Sequence, residues 1–343
     1  MACNAVLEVS TLATSLERLF EFLPVEEGGV LPIEAPRVCA TDAALVDTWP
    51  SQGCVVFEKV QLRYRPDLPL SLDGACFTLA GGSKCGVVGR SGAGKSTLMS
   101  ALFRLTEISG GKISIDGTDL AQIGLQLLRR RLAMIPQDAI IMTGTARENV
   151  DPFDEHTSAA VSDAFSRVGL SPAMLDKHLD GGDTQLSVGE CQLLAIARVI
   201  LRRARVVCLD EPTAHIDAAT DAKLQQLMGA CFEGSTLISI AHRLHTVIGF
   251  DRIAVVDAGR IAQFDAPRAL LDDAAGPFAD MVAALGPATA AKLRTAAAAP
   301  SGSNLLLTPH DDAPIGDAET TLNVRVESPV ENRFCGCTLL AVS

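Results

Sequence analysis

The segment "GVVGRSGAGKSTLMSALFRL", Gly86 to Leu105, constrains this chain more than any other. A short apolar run ends in glycine, a glycine-rich loop follows, and Lys-Ser-Thr opens a helical pattern. Gly89, Gly94, Lys95 and Ser96 fit the spacing G-x-x-x-x-G-K-[ST], with Arg90, Ser91, Gly92 and Ala93 as the loop between them. Glycine permits positive φ and lets backbone N–H groups turn inward. Together with a helix N-terminus, those N–H groups form a nest for a polyanion. Lys95 supplies a point charge to the β- and γ-phosphates of a nucleotide. Ser96 offers a hydroxyl to magnesium, and Thr97 a further donor. A strand before and a helix after are the context this motif requires.

The flanking sequence alternates strand and helix patterns. "CVVFEKVQLRY" alternates like a strand, "SKCGVVG" is a short buried one, and "GKISIDG" and "LAMIPQ" are two more. Residues Ala146 to Leu179 read as mostly helical, whereas "ARVVCLDE", "STLISIAH" and "RIAVVDAGRIAQFD" are β-rich. Continuous Val/Ile/Leu runs interleaved with helices predict a covered parallel sheet. The expected fold class is therefore α/β, interrupted by a helical insertion.

Composition excludes other classes. Net charge is −12 and no basic block is long enough to neutralise a row of phosphates, which argues against nucleic acid as a partner. The nearest approach is "LLRRRLAM", Leu127 to Met134, read as a solvated helix face. The 10 cysteines are scattered, and Cys85, Cys208 and Cys231 sit in apolar runs as buried free thiols would. No secretory leader is read at the N-terminus, and no run is long and apolar enough for a membrane span.

Leu12, Leu16, Leu19, Phe20 and Leu23 share one face of an amphipathic helix that Pro24 stops, and a Pro/Gly-rich linker follows. Three regions are expected: residues 1–48 as helix and linker, 49–285 as the main domain with a helical part at about 141–195, and 286–343 as a disordered Ala/Pro/Ser/Asp-rich tail. Cys335 and Cys337 near the end read either as S-acylation sites or as incidental thiols of a solvated tail.

A second chemical element lies in "ARVVCLDEPTAHID". The apolar run Val206 to Leu209 delivers Asp210 to a strand end, where a carboxylate can hold magnesium. Glu211 follows at once and is placed to polarise an attacking water. Without the phosphate loop, two solvated acids at a strand terminus would explain these residues equally well.

"LSVGECQLLAIAR", Leu186 to Arg198, narrows the field. Locally, Ser187 and Glu190 form a capping box at a helix start. The segment also resembles the signature motif of ABC (ATP-binding cassette) ATPases. The resemblance implies an ABC-type P-loop ATPase core, with a mostly parallel sheet, an antiparallel β part and a helical signature subdomain. Its cofactors would be ATP and Mg²⁺. It implies that Ser187 and Gly189, with Glu190 beside them, face the γ-phosphate of a nucleotide bound by a partner cassette. Gln137 in "MIPQDAII" is similar to the family's Q-loop, which senses magnesium and couples to membrane domains. "AHIDA" resembles the D-loop, with Asp217 at the dimer seam, and His242 in "SIAHRL" resembles the switch histidine. Tyr64, the only tyrosine, matches the aromatic residue that stacks on adenine.

"GRSGAGKSTL", "ENVDPF" and "LSVGE" look most like the second cassette of the C subfamily, the multidrug-resistance-associated exporters. That likeness implies a head-to-tail pair with another cassette, coupling to transmembrane domains, and a place at the cytoplasmic face of a membrane; expressed alone, the chain would be soluble. Organic anions or thiol conjugates are the cargo it suggests. In this setting Glu211 is the base, Lys95 and His242 stabilise the γ-phosphate, and Ser96, Asp210 and Gln137 surround Mg²⁺. Three departures stand out: Val188, Glu190 where glutamine is expected, and Cys191 where arginine is common. A carboxylate at 190 would repel phosphate if it faced inward. Two alternatives therefore remain: a non-catalytic ATP-binding module, and a soluble ATPase of repair or translation.

Overall fold

The computed structural model describes residues 39, 41–45, 48–180, 186–211, 218–241 and 243–298. The helix expected at 12–23, Asp217, His242, Cys335 and Cys337 lie outside the described residues.

Two larger sheets, a two-stranded ribbon and a helical layer make up the described residues. After a short helix α1 (Asp42–Leu45), strands β1 (Val55–Leu62), β2 (Leu72–Leu79), β4 (Gly110–Ile115) and β5 (Thr118–Asp119) form an antiparallel sheet of order β2-β1-β4-β5. The larger sheet has the order β12-β11-β3-β10-β9-β6. Its members are β3 (Lys84–Val88), β6 (Leu132–Ile135), β9 (Val206–Asp210), β10 (Thr236–Ile240), β11 (Arg252–Asp257) and β12 (Arg260–Asp265). All its pairings are parallel except β11 with β12. The apolar runs become the inner strands: β10 is buried at every position, and β9 at all but its last.

Between the sheets, α2 (Lys95–Leu102) buries Leu98, Met99, Ala101 and Leu102. Phe57 and Phe77 stack across the antiparallel pair with ring centroids 4.6 Å apart. Helix α3 (Leu125–Arg131) leads directly into β6. A helical layer follows: β7 (Gly144–Thr145), α4 (Ala146–Val150), α5 (Ser158–Arg167), β8 (His178–Leu179) and α6 (Val188–Arg202). Its own core is built on Phe165, Leu194 and Ile196 against β6 and β9. Helix α7 (Ala218–Cys231) packs on α6. Cys85 and Cys208 are fully buried, and burial pushes both thiols up, Cys85 to about 12, which leaves them unreactive packing groups. Cys231 is half-buried.

Two expectations need correction. The tail expected from 286 begins with structure: after α8 (Pro267–Asp272) and α9 (Pro277–Ala284), helix α10 (Pro287–Ala297) has proline in its first turn and buries Ala290, Leu293 and Ala296. The small apolar residues that read as low complexity form a close-packing face against Phe278 and Val282. The arginines of α3 are also not simply solvated. Arg129 donates to the carbonyls of Phe103 (3.3 Å) and Arg104 (2.8 Å), and Arg130 pairs with Glu155.

Candidate nucleotide site

The loop after β3 is shaped by glycines that no other residue could replace. Gly89 has φ 154°, and a Cβ there would sit 2.3 Å from the Val256 carbonyl oxygen. Gly94 has φ 108°, and a Cβ there would meet the Ser71 carbonyl oxygen at 2.7 Å. Gly94 is also the residue before α2 and brings no side chain to cap it. The first N–H groups of α2 therefore have no side-chain cap, the arrangement that suits an anion. Lys95 curls back over the loop. Its Nζ donates to the carbonyls of Gly89 (2.8 Å) and Arg90 (3.0 Å), and the side chain is buried. Burial pulls its pKa down and the Asp210 charge opposes that pull.

A cleft of about 570 Å³ opens beside the loop, walled by Tyr64, Ser71, Ser91, Ser96 and the Ala258–Gly259 turn. Tyr64 is 50% exposed, and its hydroxyl lies 3.1 Å from Thr97 Oγ1, so Thr97 is already engaged. Sequence reasoning missed the turn between β11 and β12. The Gly259 N–H donates to the Ala93 carbonyl (2.9 Å), and its carbonyl accepts from the Asp73 N–H (2.9 Å). It straps the phosphate loop to β2, and an Asp73–Arg260 ion pair closes the same corner. The glycine in "VVDAGRIAQFD" marks a turn, but nothing local says what that turn touches.

Strands β3 and β9 flank β10 in parallel register. Their carboxyl ends, with the loop on one and Asp210 on the other, are thus about 10 Å apart on one sheet edge. Asp210 is half-buried; burial raises its pKa and Lys95 pulls it down. Glu211 turns out of the strand with φ 44°, and its N–H donates to the Ile240 carbonyl (3.3 Å). A left-handed backbone at a non-glycine residue costs about 1–3 kcal/mol and concentrates at functional sites. Asp210 reaches the cleft through the charge of Lys95; neither acid lines it.

Gln137 is exposed just after β6. Its carbonyl accepts from Gln192 Nε2 at 2.5 Å, which ties this loop to α6. Gln192 is 1% exposed, and its Oε1 finds no hydrogen-bond partner among the described residues. Sequence reasoning missed Gln192 because in the motif it is simply one more residue of a helix.

The signature residues stand apart from the cleft: Ser187, Gly189 and Glu190 are not among its walls. Ser187 caps α6 and closes a full capping box with Glu190. The Glu190 carboxylate is turned onto its own helix start, the geometry expected of the cap. Val188 is 54% exposed beside it.

Comparison with known proteins identifies the domain that carries this cleft. The family model described as "ABC transporter" matches residues 72–214. The ABC-type transporter cicA of Emericella nidulans is 43% identical over 275 residues, covering 74% of this chain and 20% of that one. ATP-binding cassette sub-family C member 2 of Rattus norvegicus is 42% identical over 273 residues, covering 78% and 17%. This chain thus spans about a fifth of the length of the curated relatives it matches. A solved bacterial Atm1-family ABC exporter with ATP bound aligns with TM-score 0.63 and 32% identity, over 74% of this chain and 44% of that one. Among the described residues, no helix is long and apolar enough to cross a membrane.

Proposed function

Because this chain carries an ABC transporter domain and so belongs to that family, with C-subfamily transporters among its relatives, we propose that it is the ATP-hydrolysing cassette of an exporter of that type. The observation that carries the reading is the Lys95 ammonium, fixed on the carbonyls of a glycine loop that lines the cleft, with Asp210 as its counter-charge.

In this account the triphosphate lies along the loop from Gly89 to Thr97, and Lys95 holds the terminal phosphates. Tyr64 offers its ring to adenine. Glu211 takes a proton from a water as that water attacks the γ-phosphorus and the bond to the β-phosphate oxygen breaks. His242 stabilises the transferred group. Ser96, Asp210 and Gln137 present hard oxygens, and a half-buried carboxylate raised by burial gains from a neighbouring cation, so the donor set fits Mg²⁺. When bound, that ion neutralises phosphate charge. Ser187, Gly189 and Asp217 serve the seam with a second cassette bound head to tail. Gln137, tethered by Gln192, relays the state of the site to transmembrane domains at the cytoplasmic face of a membrane. Organic anions or thiol conjugates are the proposed cargo.

Calorimetry with Mg·ATP tests the assignment. Lys95→Ala should weaken binding by about 1.5–3 kcal/mol, the value of a charge-assisted contact. Equal affinity in the two proteins would remove Lys95 from the site.

One observation favours a second reading, that of an ATP-binding module without turnover. The Ser187 hydroxyl and N–H, which the first reading assigns to a partner's phosphate, both donate to Glu190. Turnover in the presence of a complementary cassette separates the two readings.

A further inference from the structure

A groove of about 380 Å³ lies apart from the nucleotide cleft. Arg130 and Arg131 line it from the end of α3, Arg198 and Arg202 from α6, and Arg203 and Arg205 from the turn that follows. Strands β6 and β9 pair with Leu132 opposite Val206. Arg131 and Arg205 each immediately precede one of those partners, so two guanidinium groups start adjacent strands side by side. Asp210 ends the five-residue β9. The groove therefore opens about 16 Å along the strand from the nucleotide edge.

The acids in the groove are already in use. Glu155 pairs with Arg130. Asp151 accepts from the N–H groups of Glu155 (3.1 Å) and His156 (2.8 Å), and its carboxylate lies 3.1 Å from the His156 ring. Arg198 is spent on the carbonyls of Asn149 (2.8 Å) and Ile140 (3.2 Å). The side chains of Arg131, Arg202, Arg203 and Arg205 have no hydrogen bond or ion pair among the described residues. Attraction to a helix C-terminus explains cations in the last turn of α3 and of α6. Arg203 is the C-cap residue of α6 and shares in that attraction, but Arg205, which lies beyond the cap just before β9, does not. Burial, and then the charge of Arg202, pull the Arg198 pKa down, so these cations repel one another. In a chain of net charge −12, such a concentration calls for an anion.

We propose that this groove binds a small molecule or headgroup bearing two or more phosphate monoesters. The planar guanidinium fork matches phosphate oxygens in pairs. A phosphate monoester brings about −1.5 to −2 charges at neutral pH, so two of them balance the four unpaired arginines. The volume is that of a small-ligand site rather than of a macromolecular interface. Phe153, 76% exposed on the groove wall, offers an aromatic face to the rest of the ligand.

The test titrates the full chain with inositol trisphosphate under saturating Mg·ATP, which occupies the phosphate loop. In parallel it sediments the chain with phosphatidylcholine vesicles, with and without phosphatidylinositol bisphosphate. Binding in solution assigns a soluble ligand; binding only to the doped vesicles assigns a lipid headgroup. In either case the double variant Arg202→Ala/Arg205→Ala should weaken binding by about tenfold or more and leave ATP affinity unchanged. Both residues are exposed, and Arg205→Glu provides a second variant with the same expected direction. Three results would overturn the proposal: no binding to either probe, equal binding by wild type and variants, or a groove occupied only by an acidic peptide such as residues 308–322 of this chain.

Discussion

Ser187 and Glu190 lock each other at the start of α6. The Glu190 N–H donates to Ser187 Oγ at 3.2 Å, while Glu190 Oε2 accepts from the Ser187 N–H at 2.8 Å and from its hydroxyl at 2.9 Å. The carboxylate that would repel a phosphate is thereby committed to its own helix. Glu190→Ala removes only the side-chain half of the box, since the backbone N–H at 190 still donates to Ser187, and should cost about 0.5–1.5 kcal/mol in urea unfolding. Glu190→Gln keeps an acceptor for Ser187 and should cost less, with turnover in a cassette pair unchanged. Faster turnover by Glu190→Gln would show that the carboxylate faces phosphate after all.

Lys95 and Asp210 make the nucleotide-free protein sensitive to pH. Burial holds the folded Asp210 pKa above the unfolded value of 3.8. Between those two values the folded state keeps a proton that the unfolded state has released. Stability fully present below 3.8 is therefore lost as pH rises through the folded pKa. Lys95 acts at the alkaline end with the opposite slope: its folded pKa lies below 10.5, so stability returns as pH climbs toward that value. The melting temperature of wild type relative to Asp210→Asn, measured without nucleotide, should fall as pH rises above 3.8. A constant difference across the acidic range would contradict the assigned environment of Asp210.

Tyr64 combines a half-exposed ring with a hydroxyl anchored on Thr97. If the ring stacks on adenine, Tyr64→Ala should weaken ATP binding by about 1–3 kcal/mol, and Tyr64→Phe by much less. Equilibrium binding of ATP and of inorganic triphosphate separates the base from the phosphates, and the triphosphate should bind both variants as it binds wild type. Equal losses for both ligands would instead make Tyr64 a support for the loop.

The elements legible in the sequence are those whose signal is local. Val206 to Leu209 and Thr236 to Ile240 read as buried strands because every side chain is apolar or small. The phosphate loop is legible because its glycines are required by its own backbone. Strand β2, "LDGACFTL", is not legible in the sequence, since glycine and cysteine break the alternation that β1 supplies across the ladder. Helix α10 was hidden because alanine packs well yet signals little. Gln192 and Gly259 act through partners brought near only by the fold, the Gln137 and Ala93 carbonyls. The direction of the Glu190 side chain was open for a different reason: the same motif serves a cap and a phosphate site.

Glu211, set beside Asp210 at the end of β9 in a left-handed turn, is the proposed base for ATP hydrolysis. The most direct test is steady-state ATP turnover by the chain mixed with a complementary C-subfamily cassette, compared with the same mixture carrying Glu211→Gln. Mg·ATP affinity should be unchanged and the rate lowered by about 10²–10⁴-fold. Turnover by Glu211→Gln at the wild-type rate would contradict that role.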